Sequence, residues 1–307
     1  MSNSVIQTSI HTIEKMKAYY ATSLQPKQPP GSIFAAKLTG CSITAYKSGK
    51  VLFQGKDAEA ESARWGKQLQ SKQKKAKSQH NYAPPATIAN MSILGSDEVG
   101  TGDYFGPMTV VAAFVSKEQI PLLKELGVRD SKNLDDTQIA RIAKEIMPII
   151  PYSLLILHNE KYNELQASGM TQGKMKALLH NQAINHAVKK IERTQLDGIL
   201  IDQFVQPATY FNHISGKKRE WTEPIYFSTQ AEGVHLSVAA ASIIARYVFV
   251  REFEKLSEQA GFKLPKGAGH IVDKAAAKLI KLKGESALNQ FTKYHFANTE
   301  KAKKLIY

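Results

Sequence analysis

"MSILGSDEVGTGDYFGPMTVVAAFV", residues 91–115, contains two apolar runs of strand length joined by a glycine-rich turn. That pattern predicts a β-hairpin, with Pro107 restricting the pairing at its edge. Where the first run meets the turn stand two adjacent acids, Asp97 and Glu98, in a chain whose net charge is +14. Neighbouring side chains on a regular strand point to opposite faces, so the pair can serve one site only if the strand ends or twists at Glu98. Gly100 and Gly102 would supply that freedom.

Strands and helices alternate downstream of the hairpin. "DDTQIARIAKEIM" (135–147) predicts an amphipathic helix and "YSLLILH" (152–158) a third strand. "TQGKMKALLHNQAINHAVKKIER" (171–193) predicts a long helix with Met175, Leu178, Leu179, Ala183, Ala187 and Ile191 on one side. "DGILID" (197–202) and "PIYF" (224–227) read as buried strands, and "VHLSVAAASIIARYVFVREFEKL" (234–256) as a further helix. Such interleaving defines an α/β core.

Upstream, the composition changes. Residues 1–80 hold 13 Lys or Arg against four Asp or Glu, so most of the excess charge lies in the first quarter of the chain. Here "TIEKMKAYYATSLQ" (12–25) has helical spacing, "SIFAAKLTGCSITAYKSGKVLFQG" (32–55) reads as three short strands, and Asp57 can cap a helix from about 58 to 75. The basic, then proline-interrupted "SKQKKAKSQHNYAPPAT" (71–87) reads as a helix end and linker. We therefore expect two domains, 1–83 and 84–307.

Composition narrows the function. A basic excess with no helix coupling it to a large apolar face points to nucleic acid as the polyanionic partner, although lysines can also serve solubility alone. The single Cys41 and an N-terminus without an apolar signal region indicate a reducing, cytoplasmic setting. No apolar stretch approaches the roughly 20 residues that span a bilayer, so no membrane partner is expected. A monomer is the default.

Asp202 closes the run "GILID", and Glu232 lies in "STQAEGVH" just ahead of the last predicted helix. Ligands of open α/β sheets bind outside the C-terminal ends of strands, so four acids from separate segments can converge there. Convergent carboxylates repel unless cations or protons intervene, and hard oxygen ligands in a cytosolic protein select Mg²⁺ or Mn²⁺. Two such ions about 3.5–4 Å apart can promote phosphodiester hydrolysis. The competing reading makes each acid a strand-end, loop or helix-start residue with no joint role. A nucleotide-cofactor loop is disfavoured, because Phe105 stands where the dinucleotide fingerprint needs glycine and an apolar strand follows instead of a helix.

"DEVGTGDYFGPMTVVAAFV", "VRDSKNL" (128–134), "ILID" (199–202) and "EGVHLSVAAASIIARY" (232–247), in that order and spacing, resemble the type 2 ribonucleases H, and their HIII branch most. The resemblance covers about residues 90 to 300. It implies a ribonuclease H-like fold, a five-stranded mixed sheet with flanking helices, and hydrolysis of the RNA strand of an RNA/DNA hybrid to 3′-hydroxyl and 5′-phosphate ends. Asp97, Glu98, Asp202 and Glu232 would then be the catalytic and metal-binding set. Gly100, Thr101 and Gly102 would read the ribose 2′-hydroxyl, and Ser131 and Lys132 would hold a phosphate. The basic N-terminal piece resembles the TATA-binding-protein-like domain of the HIII branch. The HII branch typically has Asp at the fourth acidic position and Arg where Thr101 stands, so this chain is expected to prefer longer hybrid stretches over single ribonucleotides.

Other readings stay open from sequence: HII-like incision at single ribonucleotides, a non-catalytic hybrid binder, or a related 3′ exonuclease. The last is disfavoured because those enzymes begin with Asp-x-Glu, whereas these acids are adjacent. Trp221 could border substrate or anchor its loop, His235 could move a proton or simply pack, and Phe34, Tyr46 and Phe53 could face nucleic acid or the core.

Overall fold

The alternation of the segment 32–55 is realised as part of a four-stranded antiparallel sheet. The computed structural model describes residues 2–26, 28–29, 31–66, 81–192 and 195–306, which fall into two units, Met1–Gln79 and His80–Tyr307. The first unit contains β1 (Ser2–Gln7), α1 (Ile10–Tyr19), β2 (Ser32–Leu38), β3 (Cys41–Tyr46), β4 (Lys50–Gly55) and α2 (Ala58–Ala63), with sheet order β1-β4-β3-β2. The Ser9 hydroxyl caps α1 by accepting from the Thr12 N–H. Ile13 and Met16 of α1 join Ile6, Phe34, Ile43 and Phe53 in one fully buried core.

Phe34 and Phe53 are therefore core residues, and Tyr46 is half-buried. β1 was not anticipated, because Val5 and Ile6 alone give no alternation to read. The predicted helix over 12–25 ends at Tyr19, followed by a 3₁₀ turn at Ala21–Ser23. That over 58–75 is helical at Ala58–Ala63 without a capping bond from Asp57, and residues 67–80, with the basic linker, lie outside the described residues. On the sheet's other face the exposed pair Ser42↔Gln54 and the half-buried pair Thr44↔Leu52 stand beside exposed Lys37.

The second unit contains β5 (Ile93–Val99), β6 (Met108–Val115), α3 (Ile120–Glu125), α4 (Asp136–Ile146), β7 (Tyr152–Leu157), α5 (Asn159–Ala167), α6 (Gln172–Val188), β8 (Gly198–Asp202), α7 (Pro207–His213) and β9 (Ile225–Ser228), then α8 (Leu236–Ala260), α9 (His270–Lys283), α10 (Leu288–Phe291) and α11 (Ala297–Lys304). The sheet order is β7-β6-β5-β8-β9, antiparallel over β7, β6 and β5 and parallel over β5, β8 and β9. β6 shows how two layers close on it. Met108, Val110, Ala112 and Phe114 pack with Met175, Ala183 and Ala187 of α6, whereas Val111, Ala113 and Val115 pack with α8 and with Ile139, Ile142 and Ile146 of α4.

The hairpin expected at 91–115 is β5–β6. Its first strand does not end at Glu98, however: pairing continues through Glu98↔Val110 and Val99↔Thr109. Strand parity therefore sends Glu98 to the α6 face and Asp97 to the α8 face. At Gly95 a Cβ would collide with the Ser237–Val238 backbone, so only glycine lets α8 lie this close to β5.

His235 starts α8. It is buried, its Nδ1 accepts from the Ser237 N–H at 3.0 Å, and its Nε2–H donates to the Met91 carbonyl at 3.0 Å. Both nitrogens are thus used in holding the helix start, and burial pushes the imidazole down to about 4. With a folded value below the free value, its stabilisation is complete above about pH 6.5 and is lost as pH falls through about 4. Denaturant titrations of the chain and of His235→Asn, which keeps a cap acceptor, should differ by up to roughly 3 kcal/mol in what they lose over that window; parallel pH profiles would contradict this.

Candidate active site at the ends of three parallel strands

β5, β8 and β9 run parallel, and their C-terminal ends open on one side of the sheet. β5 and β8 pair through Ser96↔Ile201, so one residue further along each strand Asp97 and Asp202 come side by side. β8 and β9 pair through Asp202↔Ser228. From there the chain turns through Gln230 into the 3₁₀ turn Ala231–Gly233, which carries Glu232. Gln230 is the only non-glycine residue with positive φ (59°) among the described residues. Such a conformation is uncommon for a side-chain-bearing residue and persists where its surroundings enforce it; here it aims Glu232 back at the strand ends.

The four acids are in electrostatic reach of one another but are held by different partners. Asp97 is 5% exposed, and its Oδ1 accepts from the Glu98 N–H at 2.7 Å. Burial pushes its carboxyl well above the usual range, Glu98, Asp202 and, more weakly, Glu232 push the same way, and a hydrogen bond from Ser242 of α8 opposes them. Asp202 is also raised, first by burial and then by Glu98 and Glu232, against the Ala231 N–H that donates to its Oδ1 at 2.8 Å.

The two glutamates have compensating cations. Glu98 Oε2 accepts from His180 Nε2 at 2.9 Å and its Oε1 contacts the Lys176 ammonium, both groups on α6. Burial alone would raise Glu98, but His180 and Lys176 outweigh it and hold the carboxyl below its usual value. Ser96, on the same β5 face, orients the ring: its Oγ is 2.7 Å from His180 Nδ1 and donates to the Val111 carbonyl at 3.0 Å. Glu232 accepts from the Ser131 N–H at 2.8 Å and from Lys132 Nζ at 3.1 Å. Among the described residues, no three His, Cys, Asp or Glu side chains already form a metal cage. Glu98 is engaged by His180 and Lys176, and Glu232 by Ser131 and Lys132.

Ser131 is buried, with its hydroxyl 3.0 Å from that of Ser242, so it braces Glu232 and α8. The Lys132 side chain is 65% exposed while touching Glu232. Gly100 (φ +92°) is packed so that a Cβ would strike the Pro107 carbonyl, whereas Gly102 has open space around it. The Thr101 carbonyl accepts from Gln172 at 3.0 Å. Behind this turn the fully buried Lys293 donates to the carbonyls of Asp103 (2.8 Å) and Gly106 (2.6 Å), and burial drives its ammonium down to about 7. Trp221 is a buried member of the α6-side core and carries Arg219 over its ring, so it anchors its loop.

Lys176, His180, Ser242 and Lys293 escaped the sequence reading. A trace of the first two is visible in "MKALLHN", where a lysine and a histidine one turn apart share a helix whose neighbours are apolar. Lys293 leaves no such trace, because a lysine near the C-terminus reads as solvated.

Comparison with known proteins assigns the class. The ribonuclease HII family model matches residues 94–299, and a second model, a domain of unknown function (DUF3378), matches residues 3–78. With acids gathered at the parallel strand ends, this is a nuclease of the ribonuclease H class, its five-stranded mixed sheet preceded by a small α+β unit. Ribonuclease HIII of Bacillus subtilis (strain 168) is 61% identical, covering 99% of this chain and 98% of that one, and ribonuclease HIII of Bacillus cereus is 60% identical over the whole of both. A crystal structure of Bst-RNase HIII in complex with Mn²⁺ is 46% identical over 99% of each chain, with a TM-score of 0.69. The chain belongs to the type 2 ribonuclease H family and stands with its HIII branch.

Buried, mutually repelling carboxylates cost stability when no metal is bound. Because Asp97 is raised in the fold, its penalty is absent at low pH and complete above its raised value. Asp97→Asn should therefore raise the unfolding midpoint of the chelator-treated chain at pH 7, by roughly 1–2 kcal/mol of stability. A lowered midpoint in thermal denaturation would contradict that reading of the cluster.

Proposed function

We propose that this chain hydrolyses the RNA strand of RNA/DNA hybrids, with Asp97, Glu98, Asp202 and Glu232 as its catalytic set and as ligands of Mg²⁺ or Mn²⁺, leaving 3′-hydroxyl and 5′-phosphate ends. The observation that carries it is that Asp97 and Asp202, at the ends of parallel strands, are both raised by burial and by the neighbouring charges of Glu98 and Glu232. An all-oxygen donor set of this charge fits a hard divalent cation. When bound, a pair of such ions would activate water and stabilise the departing ribose oxygen. The Mn²⁺ in the Bst-RNase HIII crystal supports the choice of ion.

The protein groups around the acids supply position and recognition. His180, oriented by Ser96, fixes Glu98; the Ser131 N–H fixes Glu232; the Ala231 N–H fixes Asp202. The open backbone at Gly102, in a turn clamped by Gln172 and Lys293, suits close approach to a 2′-hydroxyl. Exposed Lys132 would exchange Glu232 for a phosphate, whereas Ser131, expected to share that role, has its buried hydroxyl on Ser242 and would keep the loop in register instead.

Residues 1–83 would form the substrate-binding domain. Their basic excess suits a polyanion, and the half-exposed sheet face of Lys37, Ser42, Thr44, Leu52 and Gln54 mixes a cation with hydrogen-bonding and apolar groups. Among the described residues no helix is long and apolar enough to cross a membrane. The lone Cys41 favours a cytoplasmic enzyme, and a monomer suffices because one chain contributes all four acids.

Cleavage of a long RNA/DNA hybrid and of duplex DNA containing one ribonucleotide, each in Mg²⁺ and Mn²⁺, tests the assignment. The chain should cut the hybrid, and Asp97→Asn should lose at least roughly a thousandfold in rate, the scale on which essential electrostatic groups act, while still binding hybrid. An active Asp97→Asn would refute the site, and preferential incision at the lone ribonucleotide would move the activity to the HII type. Removing residues 1–83 should raise KM and flatten the salt dependence of binding, since fewer counterions are released; an unchanged salt slope would dismiss that role.

A further inference from the structure

The two oxygens of Glu98 are held in unequal ways. Oε2 is bound by His180, which is fully buried, braced by Ser96 and stacked on Phe204 at 5.0 Å with 26° between the rings. Oε1, among the described residues, is bound by the Lys176 ammonium alone. Lys176 is a long, flexible side chain, 12% exposed, and its Nζ also lies 4.2 Å from the centre of the Phe204 ring. That ring face is a second resting place, since an ammonium over an aromatic face is attracted to it whether or not a carboxylate is near. Phe204 follows Asp202 by two residues, so the ammonium would stay beside the strand ends after releasing Glu98.

We propose that Lys176 is a built-in counter-ion that competes with the divalent cation for Glu98, a positioning residue that sets how tightly the chain takes up its metal. This deepens the functional reading above and rests on it. Without metal, a buried Glu98 in electrostatic reach of Asp97 and Asp202 needs a positive partner, because an uncompensated charge in such a site is strongly unfavourable. Lys176 supplies it. Glu98 Oε1 would be the oxygen free to help hold a divalent cation once Lys176 leaves it, while His180 keeps Oε2 and the ammonium could rest on Phe204. Two cations cannot share one carboxylate oxygen in a confined space without repulsion, so the affinity for metal is reduced by the cost of displacing Lys176. The lysine thereby keeps the metal-free fold intact and holds the metal-bound state in reserve for higher cation concentrations or for a bound substrate that adds negative charge.

The competition has a signature unlike that of a substrate-binding or purely structural lysine. In Lys176→Met the packing on Phe204 is largely kept and the charge is gone. The metal-free variant should melt below the unsubstituted chain, and Mn²⁺ should raise its melting point by more than it raises that of the unsubstituted chain. Calorimetric titration of the full chain with Mn²⁺ alone should show affinity raised roughly tenfold, the equivalent of about 1.4 kcal/mol. Lys176→Arg, which keeps the charge, should stay near the original affinity. In a Glu98→Gln background, Lys176→Met should leave Mn²⁺ affinity unchanged, because the shared carboxylate is gone. Equal or weaker Mn²⁺ binding by Lys176→Met than by the original chain would overturn the proposal. If Lys176→Met does not fold without metal, Lys176→Gln serves the same titration with the same expected direction. Should the unsubstituted chain itself bind no Mn²⁺, the four-carboxylate reading fails with it; if it binds Mn²⁺ and Lys176→Met does so no better, only the competition is refuted.

Discussion

Everything at the strand ends follows from like charges being forced together. β5 and β8 are paired in a register that brings Asp97 beside Asp202, and the turn after β9 adds Glu232. Each acid is drawn from water by the packing that makes the sheet, so the fold accumulates negative charge where it is least well solvated. Uncompensated, that is a costly arrangement. The surrounding groups respond in kind. His180 and Lys176 settle on Glu98, Lys132 and the Ser131 N–H on Glu232, and the Ala231 N–H on Asp202. Asp97, held among the described residues by the Glu98 N–H and Ser242 and by no cation, carries the strongest upward push of the four.

The local geometry that produces this is simple. β6 packs alternate residues against α6 and against α4 and α8, and β5 obeys the same parity. Asp97 and Glu98 therefore leave the strand on opposite faces, each toward a different helix, and are linked through the Glu98 N–H on Asp97 Oδ1 and the upward push of the Glu98 charge on Asp97. Gly95 allows α8 to close on β5, and the His235 cap fixes where that helix begins. Two helices thus bring their own residues to the acids: Ser242 from α8, and Lys176 with His180 from α6.

Much of this could be read before any coordinates. The hairpin, the strands ending at Asp202 and Ser228, and the helices α4, α6 and α8 have clear periodicity or apolar runs, and the α/β fold follows from their order. Asp97, Glu98 and Asp202 stand out because they close apolar runs, whereas Glu232 sits in a polar loop just ahead of a helix and is tied to them by the resemblance. What escaped was decided by tertiary contact. β1 has too few apolar residues to alternate, yet it pairs along β4 for its whole length. The strand was expected to end or twist at Glu98, whereas β6 offers pairing partners as far as Thr109. The helices α9, α10 and α11 pack in a separate cluster around Phe249 and Phe253, which no local pattern announces. Ser131 reads as a loop hydroxyl, but Ser242, far along the chain, turns it inward.

The same physics accounts for the charge paradox of the sequence. A strongly basic chain suits a polyanion, and the acidic centre suits the cations that a polyanion's hydrolysis needs. Its central claim is that the four carboxylates are one cation-binding centre. Anomalous diffraction from crystals of the chain grown with Mn²⁺ addresses that claim most directly. A Mn²⁺ peak is expected about 2.0–2.3 Å from oxygens of Asp97 and Asp202, with Glu98 Oε1 released from Lys176. A peak that ignores Asp97 and Asp202, or none at saturating Mn²⁺, would contradict it.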